Sequence, residues 1–229
     1  MGRLCFSCRS FYDVKEINRP EIIVPQSQFE QFQGEFREFE TWLEKHAGRQ
    51  VEFSGTISSV KPEYLLRKAK KTSHVLLKGF LLTFNNCSIH KLAFNDFIYA
   101  PVSISMQNRY SFSCGDNIFC SGYFTVNNGM IILRKIHRIE MIEKKASACW
   151  TESKARVIQR TGTILPYQSA KCHACENGTL LHVYHDGEIQ PQSRALFCLE
   201  GVADLELCGF KIKKLLAQTA CPNDSFDTL

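Results

Sequence analysis

Two kinds of hydrophobic spacing divide the chain. Between residues 27 and 47, apolar side chains recur at steps of three and four, whereas apolar and polar residues alternate from Val51 onward. Steps of three and four are typical of an amphipathic helix, and alternation is typical of a strand with one buried face. The sequence therefore predicts one helix followed by a mostly β region. The apolar residues of the helix are Phe29, Phe32, Phe36, Phe39 and Leu43.

Both ends of the predicted helix carry recognisable signals. Ser27 and Glu30 have the spacing of a capping box, in which each side chain bonds the other residue's backbone N–H. Gly48 suits the position that follows the last turn. We expect the aromatic stripe, widened by Trp42, to pack on the rest of the protein. The alternative is a stripe that binds a partner.

Five apolar segments after residue 49 favour strands. We expect Lys61-Pro62 to stop or bend the first strand and Asn85-Asn86 to turn the second. Asn127-Asn128-Gly129 predicts a tight hairpin. Short strands joined by short turns indicate a small antiparallel barrel. The segments are Val51–Ser59, Val75–Phe84, Phe97–Met106, Ile118–Val126 and Met130–Met141.

The segment from 49 to 145 resembles an OB-fold. Val51-Glu52-Phe53-Ser54-Gly55-Thr56-Ile57 is similar to the first strand of that fold, and the segments 115–124 and 133–139 are similar to its fourth and fifth strands. The resemblance covers about 95 of the 229 residues. One departure is the loop 107–113, which we expect to be too short for the helix that many OB-folds carry there. The resemblance implies a binding module.

The C-terminal part predicts a second, smaller β region. Residues 146–170 form a connector with strand character at 155–165. Strands at Leu180–His185 and Ala195–Leu199 flank an Asp186-Gly187 turn, and a short helix is expected within 205–217. The predicted fold is mostly β, with a five-stranded OB-type barrel (49–145), an N-terminal CxxC segment and amphipathic helix (1–48), and a small cysteine-rich β module (146–229).

The positive charge is concentrated in the central segment. The whole chain has a net charge of +5, but residues 49–145 carry 14 Lys and Arg against 6 Asp and Glu, a balance of +8. The flanking segments carry −2 and −1. An excess of this kind favours a polyanionic partner.

Cationic and aromatic side chains occur together in this segment, as single-strand binders require for phosphate contacts and base stacking. We therefore predict binding of single-stranded or structured nucleic acid with little sequence readout. Two alternatives are a basic loop that is only solvated surface, and a barrel that serves as a protein-interaction subunit with helix 27–47 as its docking element. The predicted nucleic-acid-binding residues are Tyr64, Arg67, Lys68, Lys70, Lys71, Lys78, Tyr99, Tyr123 and Arg134.

The eleven cysteines include two C-x-x-C pairs. In a reducing compartment this spacing favours a metal before a disulfide. Cys172, Cys175, Cys198 and Cys208 are the predicted ligands of one centre, with zinc as the first choice and a [4Fe–4S] cluster as the alternative. Buried thiols are the simpler interpretation.

Two further groups of cysteines are separate from this set. Cys5 and Cys8 are further candidate ligands, which could join Cys149 or Cys221 or share a centre with Cys172 and Cys175. Cys87, Cys114 and Cys120 are expected to be core or near-core thiols.

Signals for catalysis and for export are missing from the sequence. No glycine-rich phosphate loop, nucleophile elbow or H-E-x-x-H motif occurs, so we predict a protein that is not an enzyme. An iron–sulfur redox or enzyme component is the alternative. No run of 18 apolar residues and no signal peptide are visible. We expect an intracellular protein, cytoplasmic or nucleoid/nuclear, that does not associate with a membrane.

Overall fold

The computed structural model describes residues 24–69, 72–127, 130–166, 172, 175–188, 191, 193–203 and 208–209. Most of these residues are in strands, as predicted, and one helix comes before the first strand. Within the described ranges, no helix combines the length and the apolar character that crossing a membrane requires. The helices are α1 (Gln26–His46), α2 (Ile104–Tyr110) and α3 (Glu152–Thr161). The strands are β1 (Gln50–Lys68), β2 (Ser73–Ile89), β3 (Leu92–Phe94), β4 (Ile98–Val102), β5 (Asn117–Asn127), β6 (Met130–Glu143), β7 (Thr163–Ile164), β8 (Gly178–His185) and β9 (Ser193–Cys198).

The chain forms two compact units. The long strands β1 and β2 contribute residues to both, because the boundaries fall within them. The first unit comprises Met1–Ser58, Thr83–Pro101 and Gly115–Lys145. The second comprises Ser59–Leu82, Val102–Cys114 and Ala146–Leu229.

Five strands form a closed series of pairs. Strand β1 pairs with β2, β2 with β4, β4 with β6, β6 with β5, and β5 with β1. The β4–β6 pair is parallel, whereas β1–β5 and β5–β6 are antiparallel. Outside this ring, β3 pairs with β2, and β8 runs parallel to the end of β1 and is followed by β9 and β7.

The core of the first unit follows the alternation seen in the sequence. Val51, Phe53 and Ile57 on β1 are each at most 1% exposed. The ring of Phe53 meets Phe84 edge to face, with centroids 4.9 Å apart. Gly122 on β5 leaves room for Leu133, because an added Cβ would lie 2.7 Å from the Leu133 side chain. The predicted buried face of the first strand is therefore confirmed.

The second unit has its own apolar cluster. It joins the C-terminal part of β1 to β8 and β9, and its two aromatic members meet edge to face with centroids 5.3 Å apart. Such a cluster stabilises a unit by removing apolar surface from water. Its members are Tyr64, Leu66, Leu181, Val183, Phe197 and Leu199.

Helix α1 is confirmed, but its predicted capping box is wrong. The helix begins at Gln26, so Ser27 lies inside the first turn, and Pro25 at the N-cap provides no side-chain hydrogen bond. The Glu30 carboxylate instead accepts from Gln26 Nε2 at 2.9 Å. Gly48 has a φ of +75°, as expected of the residue that follows the end of a helix.

The predicted packing of the aromatic stripe is correct for only half of α1. Trp42 stacks on Phe94 with ring centroids 5.8 Å apart and meets Phe124 edge to face at 5.4 Å. Phe32 and Phe36, nearer the N-terminus, are 62% and 49% exposed. The packing interpretation is therefore wrong for the N-terminal half.

Lys61-Pro62 was predicted to stop or bend the first strand, and the stop is wrong because β1 continues to Lys68. A proline lacks the N–H that a strand ladder uses, yet its carbonyl can still accept. Here the Pro62 carbonyl accepts from Thr179 Oγ1 at 3.4 Å. The strand is therefore tied to β8 through the acceptor that proline retains.

The turn predicted at Asn85-Asn86 is also misplaced. Strand β2 passes through both residues, with Asn86 at a φ of +48°. The turn follows at His90 and Lys91, whose φ values of +49° and +69° match a two-residue hairpin with both central residues left-handed. Strand β2 therefore continues past Asn85-Asn86, the residues that predicted its end, as far as the apolar residue Ile89.

The third predicted strand ends at Val102, and helix α2 replaces its last part. Ser103 caps this helix by accepting from the Met106 backbone N–H at 3.2 Å. The expectation that this connection is too short for a helix is therefore wrong. The error arose because Ile104 and Met106 continue the alternation of the strand, whereas Ser103 carries the stronger local signal.

The strand character predicted at 155–165 is likewise wrong for most of that segment. Thr151 caps α3 by accepting from the Lys154 N–H at 3.2 Å. Only Thr163 and Ile164 pair as a strand, with β9.

The remaining strand predictions agree with the structure. Asn127 pairs with Met130 across β5 and β6, as the predicted hairpin requires, while Asn128 and Gly129 lie outside the described residues. Strands β8 and β9 match the two C-terminal predictions. The helix predicted within 205–217 lies outside the described residues except at 208 and 209.

Candidate nucleic-acid interface and metal centre

The predicted cationic and aromatic residues belong to both units. Tyr99, Tyr123 and Arg134 lie in the first unit, and four others lie in the second. Lys70 and Lys71 lie outside the described residues. The members in the second unit are Tyr64, Arg67, Lys68 and Lys78.

Tyr64 lies in the core of the second unit. Its side chain is 0% exposed, and its hydroxyl donates to the Ala155 carbonyl at 2.7 Å. Burial raises the pKa of this phenol. The Tyr64 ring therefore presents no face to a ligand, contrary to its predicted role in stacking. Residues 62–64 are all buried, so the alternation on which that expectation depended does not continue past Pro62.

Lys78 is held by an ion pair. Its Nζ lies 2.7 Å from Glu63 Oε1, and the Glu63 side chain is only 11% exposed. His182 Nε2 lies 4.0 Å from the same oxygen. Burial lowers the pKa of His182, the Glu63 carboxylate opposes that shift, and Lys78 and Arg194 add to it. Lys78 therefore has a carboxylate partner within the second unit, although its own side chain is 46% exposed.

Arg67 and Lys68 remain exposed at the end of β1. They lie opposite Tyr184 and His185 in the parallel pair with β8. Unlike Lys78, neither of them takes part in an ion pair found among the described residues.

In the first unit, Tyr123 lies directly opposite Arg134 across β5 and β6. Tyr123 is 40% exposed, while its neighbours Gly122 and Phe124 are buried. Side chains at directly opposed positions have Cβ atoms about 4.5–5.5 Å apart. This pair therefore places a guanidinium beside an accessible aromatic ring. On its other side, Tyr123 pairs with Gln50 of β1.

Strand β6 carries further cations that the sequence analysis did not select. Lys135 and Arg138 have φ values of +51° and +50°, and the β5–β6 register shifts on both sides of Ser121. An irregularity of this kind breaks the strict alternation of faces. As a result the consecutive residues Arg134 and Lys135 are both exposed. The run of basic residues was visible in the sequence, but the irregular backbone that exposes it was not.

His137 belongs to the same surface. Its Nε2 lies 3.2 Å from Gln50 Nε2, and its Nδ1 lies 3.0 Å from the Lys135 carbonyl oxygen. Of the ion pairs found in the described parts of the chain, none involves Arg134, Lys135 or Arg138. We call Tyr123, Arg134, Lys135, His137 and Arg138 the β6 basic face.

Tyr99 contributes less surface than predicted. It is half-buried opposite Ile132 in the parallel β4–β6 pair. Burial raises the pKa of its hydroxyl, and Asp96 adds to the shift.

Three of the four predicted metal ligands, Cys172, Cys175 and Cys198, lie in or opposite a turn at the start of β8. Cys175 N–H donates to the Cys172 carbonyl at 3.3 Å, and Gly178 N–H donates to the Cys175 carbonyl at 3.1 Å. Cys198 lies opposite Gly178 in the β8–β9 register. A Cβ on Gly178 would lie 2.0 Å from the Cys172 carbonyl oxygen, so the turn requires glycine at this position. We call the described residues of this turn, Cys172 and 175–178, the cysteine turn.

Lys61 anchors the cysteine turn to β1. Its Nζ donates to the carbonyls of Cys175 and Gly178, both at 2.9 Å. Burial lowers the pKa of Lys61, an effect opposed by Cys175 and Glu176. The turn is therefore fixed by a cation from another strand of the same unit.

The four predicted ligands do not form an assembled centre. Over the described ranges, no three His, Cys, Asp or Glu side chains are grouped so as to hold a metal ion. Cys5 and Cys8 lie outside those ranges. The metal centre remains a prediction. Cys172, Cys175, Cys198 and Cys208 are all half-buried, and none of them forms a disulfide with another described cysteine.

The three cysteines that were predicted to be core or near-core thiols divide into two kinds. Cys87 and Cys120 are buried, as predicted, and burial raises the pKa of each to about 12. Cys114 is exposed, so its predicted place in or near the core is wrong.

No model of a known protein family matches this chain, and no curated protein is significantly similar to it in sequence.

Proposed function

We propose that this chain is a nucleic-acid-binding protein that uses the β6 basic face. The observation that carries the proposal is the exposed Tyr123 ring opposite Arg134, beside cations that have no ion-pair partner among the described residues. Tyr123 and Arg134 belong to the set predicted from sequence. Lys135, His137 and Arg138 extend it.

The scaffold of this face is an OB-type barrel. Three features support that assignment: the closed order β1–β2–β4–β6–β5, the parallel β4–β6 pair, and helix α2 between β4 and β5. Many OB-folds carry a helix at this point of the chain. Helix α2 lies there, although the sequence had predicted that the connection was too short for it. Barrels of this kind bind single strands by combining a cationic groove with aromatic platforms.

Single-stranded nucleic acid is the ligand that these side chains fit best. A ring such as that of Tyr123 stacks on a base only if the face of that base is accessible, and a duplex hides its base faces between neighbouring pairs. One such contact contributes about 1–3 kcal/mol. Arg134, Lys135 and Arg138 would contact phosphates, and that part of the affinity falls as the salt concentration rises.

Fluorescence anisotropy with a labelled oligonucleotide of about 20 nucleotides tests the proposal. We expect the full chain to bind the single strand more tightly than the matching duplex, with an affinity that decreases steeply with salt. The variant Arg134→Gln/Lys135→Gln/Arg138→Gln should lose at least about tenfold in affinity at low salt, because three phosphate contacts are removed.

A matched variant controls for net charge. Arg37→Gln/Lys45→Gln/Lys91→Gln also removes three positive charges, but from exposed positions elsewhere in the first unit. It should retain most of the affinity, since charges away from the face contribute only long-range attraction. Equal losses in the two triple variants would show that binding is not localised on the β6 basic face.

A metal centre at the cysteine turn is the second candidate, as a structural part of the second unit. It is supported by the C-x-x-C spacing of Cys172 and Cys175, by the placement of Cys198 opposite Gly178, and by the requirement for glycine there. Thiolates at such a turn suit zinc, and a [4Fe–4S] cluster uses the same donors. A bound metal would stabilise a module with a small apolar core.

Metal analysis with a visible spectrum on anaerobically purified full chain tests this candidate. We expect bound zinc and no absorbance near 400 nm; a brown protein would identify the cluster instead. Cys172→Ser, Cys175→Ser and Cys198→Ser should each lower the metal content, whereas Cys114→Ser, at an exposed thiol, should not. Wild-type protein purified without metal, or single variants that retain it fully, would rule the centre out.

A further inference from the structure

Helix α1 exposes large apolar side chains from its second turn to its fourth. Phe32, Phe36 and Phe39 are 62%, 49% and 38% exposed, and no residue of the helix is buried. The rings of Phe32 and Phe36 stack on one another with centroids 6.2 Å apart. Contiguous exposed apolar surface is uncommon and marks sites of interaction.

The C-terminal half of α1 is anchored on its own unit. Phe39 and Trp42 both stack on Phe94, at 6.4 Å and 5.8 Å between centroids. The His46 ring lies 4.5 Å from that of Trp42. Because one end is held and the helix is continuous, the first unit presents the exposed stripe in a defined direction.

Carboxylates border this stripe. On a helix, residues three or four apart are neighbours. Glu35 therefore lies beside Phe32 and Phe39, and Glu40 lies beside Phe36. The helix contains five glutamates against Arg37 and Lys45, a net charge of −3. Glu35 Oε1 accepts from Gln31 Nε2 at 2.9 Å, but among the described residues no ion pair involves these glutamates, so no cation neutralises their charge.

Two occupants are disfavoured by this charge. A nucleic acid would be repelled by the glutamates. A second copy, packed symmetrically through α1, would bring the same acidic surface against itself, because a twofold interface places identical patches in contact. The remaining complement is a surface that is both apolar and positively charged.

We propose that the α1 stripe (Phe32, Phe36 and Phe39 with Glu35 and Glu40) docks an amphipathic, basic helix of a partner protein. The apolar ridge of that helix packs on the three phenylalanines, and its Lys and Arg side chains pair with the two glutamates. Helix-in-groove recognition uses apolar anchors at this spacing. The site shares no residue with the β6 basic face, so the chain could bind a basic protein and a nucleic acid through different side chains.

The probe for this proposal is a labelled synthetic helix of about 20 residues, with Leu at positions spaced by three and four and Lys on both flanks. A second peptide replaces every Lys with Glu. We expect the full-length chain to bind the Lys peptide at least tenfold more tightly than the Glu peptide. The variant Phe32→Glu/Phe36→Glu should weaken binding of the Lys peptide at least tenfold, with unchanged thermal unfolding and oligonucleotide binding.

Charge-reversal variants distinguish this role from non-specific hydrophobic binding of peptides. Glu35→Lys/Glu40→Lys should invert the peptide preference, whereas Glu30→Lys/Glu44→Lys, which changes the same charge away from the stripe, should leave the Lys peptide preferred. Equal affinity for both peptides, or binding of neither, would overturn the proposal. So would a wild-type dimer in sedimentation velocity that Phe32→Glu/Phe36→Glu converts to monomer, because a second copy would then cover the stripe.

Discussion

Tyr123 and Arg134 lie opposite one another on adjacent strands, with the ring of Tyr123 partly open to solvent. The two side chains offer different interactions to a nucleic acid. The ring offers a stacking surface, whose strength is largely independent of salt, and the guanidinium offers a phosphate contact, whose strength depends on counterion release. This difference allows the two contributions to be measured separately.

Tyr123→Ala and Arg134→Gln should therefore differ in their salt dependence. Tyr123→Ala removes one stacked base and should weaken binding by about 5- to 150-fold, with an unchanged slope of log affinity against log salt. Arg134→Gln should reduce the magnitude of that slope by about 0.7, the value for one phosphate of a single strand. Anisotropy titrations at four or five salt concentrations give both quantities. Tyr184→Ala, in the second unit, is the aromatic control; if it weakens binding as much as Tyr123→Ala, the proposed platform is wrong.

Asp116 should contribute more to stability than any surface ion pair of the first unit. Its carboxylate is 0% exposed and accepts from Lys144 Nζ at 2.7 Å and from the Lys145 backbone N–H at 2.9 Å. Asp116→Ala removes both bonds and leaves the Lys145 N–H without this acceptor, so we expect a loss of about 1–3 kcal/mol in the free energy of unfolding. Urea denaturation measures it.

Glu143→Gln is the control for Asp116. The Glu143 carboxylate pairs with Lys145 at the surface, where both side chains are more than half exposed. Exposed pairs contribute little, so a change under about 1 kcal/mol is expected. Equal decreases in the free energy of unfolding for the two variants would show that burial does not increase the contribution of Asp116 to stability.

Tyr64→Phe should destabilise the second unit without changing nucleic-acid affinity. The substitution keeps the ring that packs on Phe197 and removes the hydroxyl that donates to Ala155, which leaves a buried carbonyl without that donor. The expected cost is about 0.5–1.5 kcal/mol. Urea denaturation and anisotropy on the same preparation check both parts. A loss of oligonucleotide affinity with unchanged stability would instead show that the Tyr64 hydroxyl contributes to nucleic-acid binding.

Stability should decrease on mild acidification because of His182. Burial lowers its pKa in the folded protein below the ordinary value of 6.5, with Glu63 opposing and Lys78 and Arg194 adding to the shift. Below pH 6.5 the unfolded chain therefore binds a proton that the folded chain resists, and the free energy of unfolding falls until the folded pKa is reached.

Urea midpoints at about pH 7.5 and pH 5.5 check this dependence. His182→Gln removes the group and should show a smaller decrease in midpoint between the two values than wild type. His74→Gln, at an exposed histidine, should behave like wild type. An identical decrease in wild type and His182→Gln would assign the pH dependence to other groups.

Short-range patterns were sufficient to predict several elements. The steps of three and four in α1, the alternation of Val51, Phe53 and Ile57, and the turn between Asn127 and Met130 are each properties of a few neighbouring residues. Their backbone conformations follow from local sterics and hydrogen bonding, so a single segment contains the information. The errors at Ser103 and Thr151 were also local, because each residue is a helix-capping signal that the apolar pattern obscured.

Exposure was the property that only the tertiary structure decided. Tyr64 is buried because β8, β9 and α3 supply Leu181, Phe197 and the Ala155 carbonyl around it, all more than 90 positions away in sequence. Lys135 is exposed because the β5–β6 register shifts beside it. The N-terminal half of α1 is exposed because Phe94 and Phe124 reach only its other end. Whether a side chain meets solvent depends on which distant segments pack against it, and no local period contains that information.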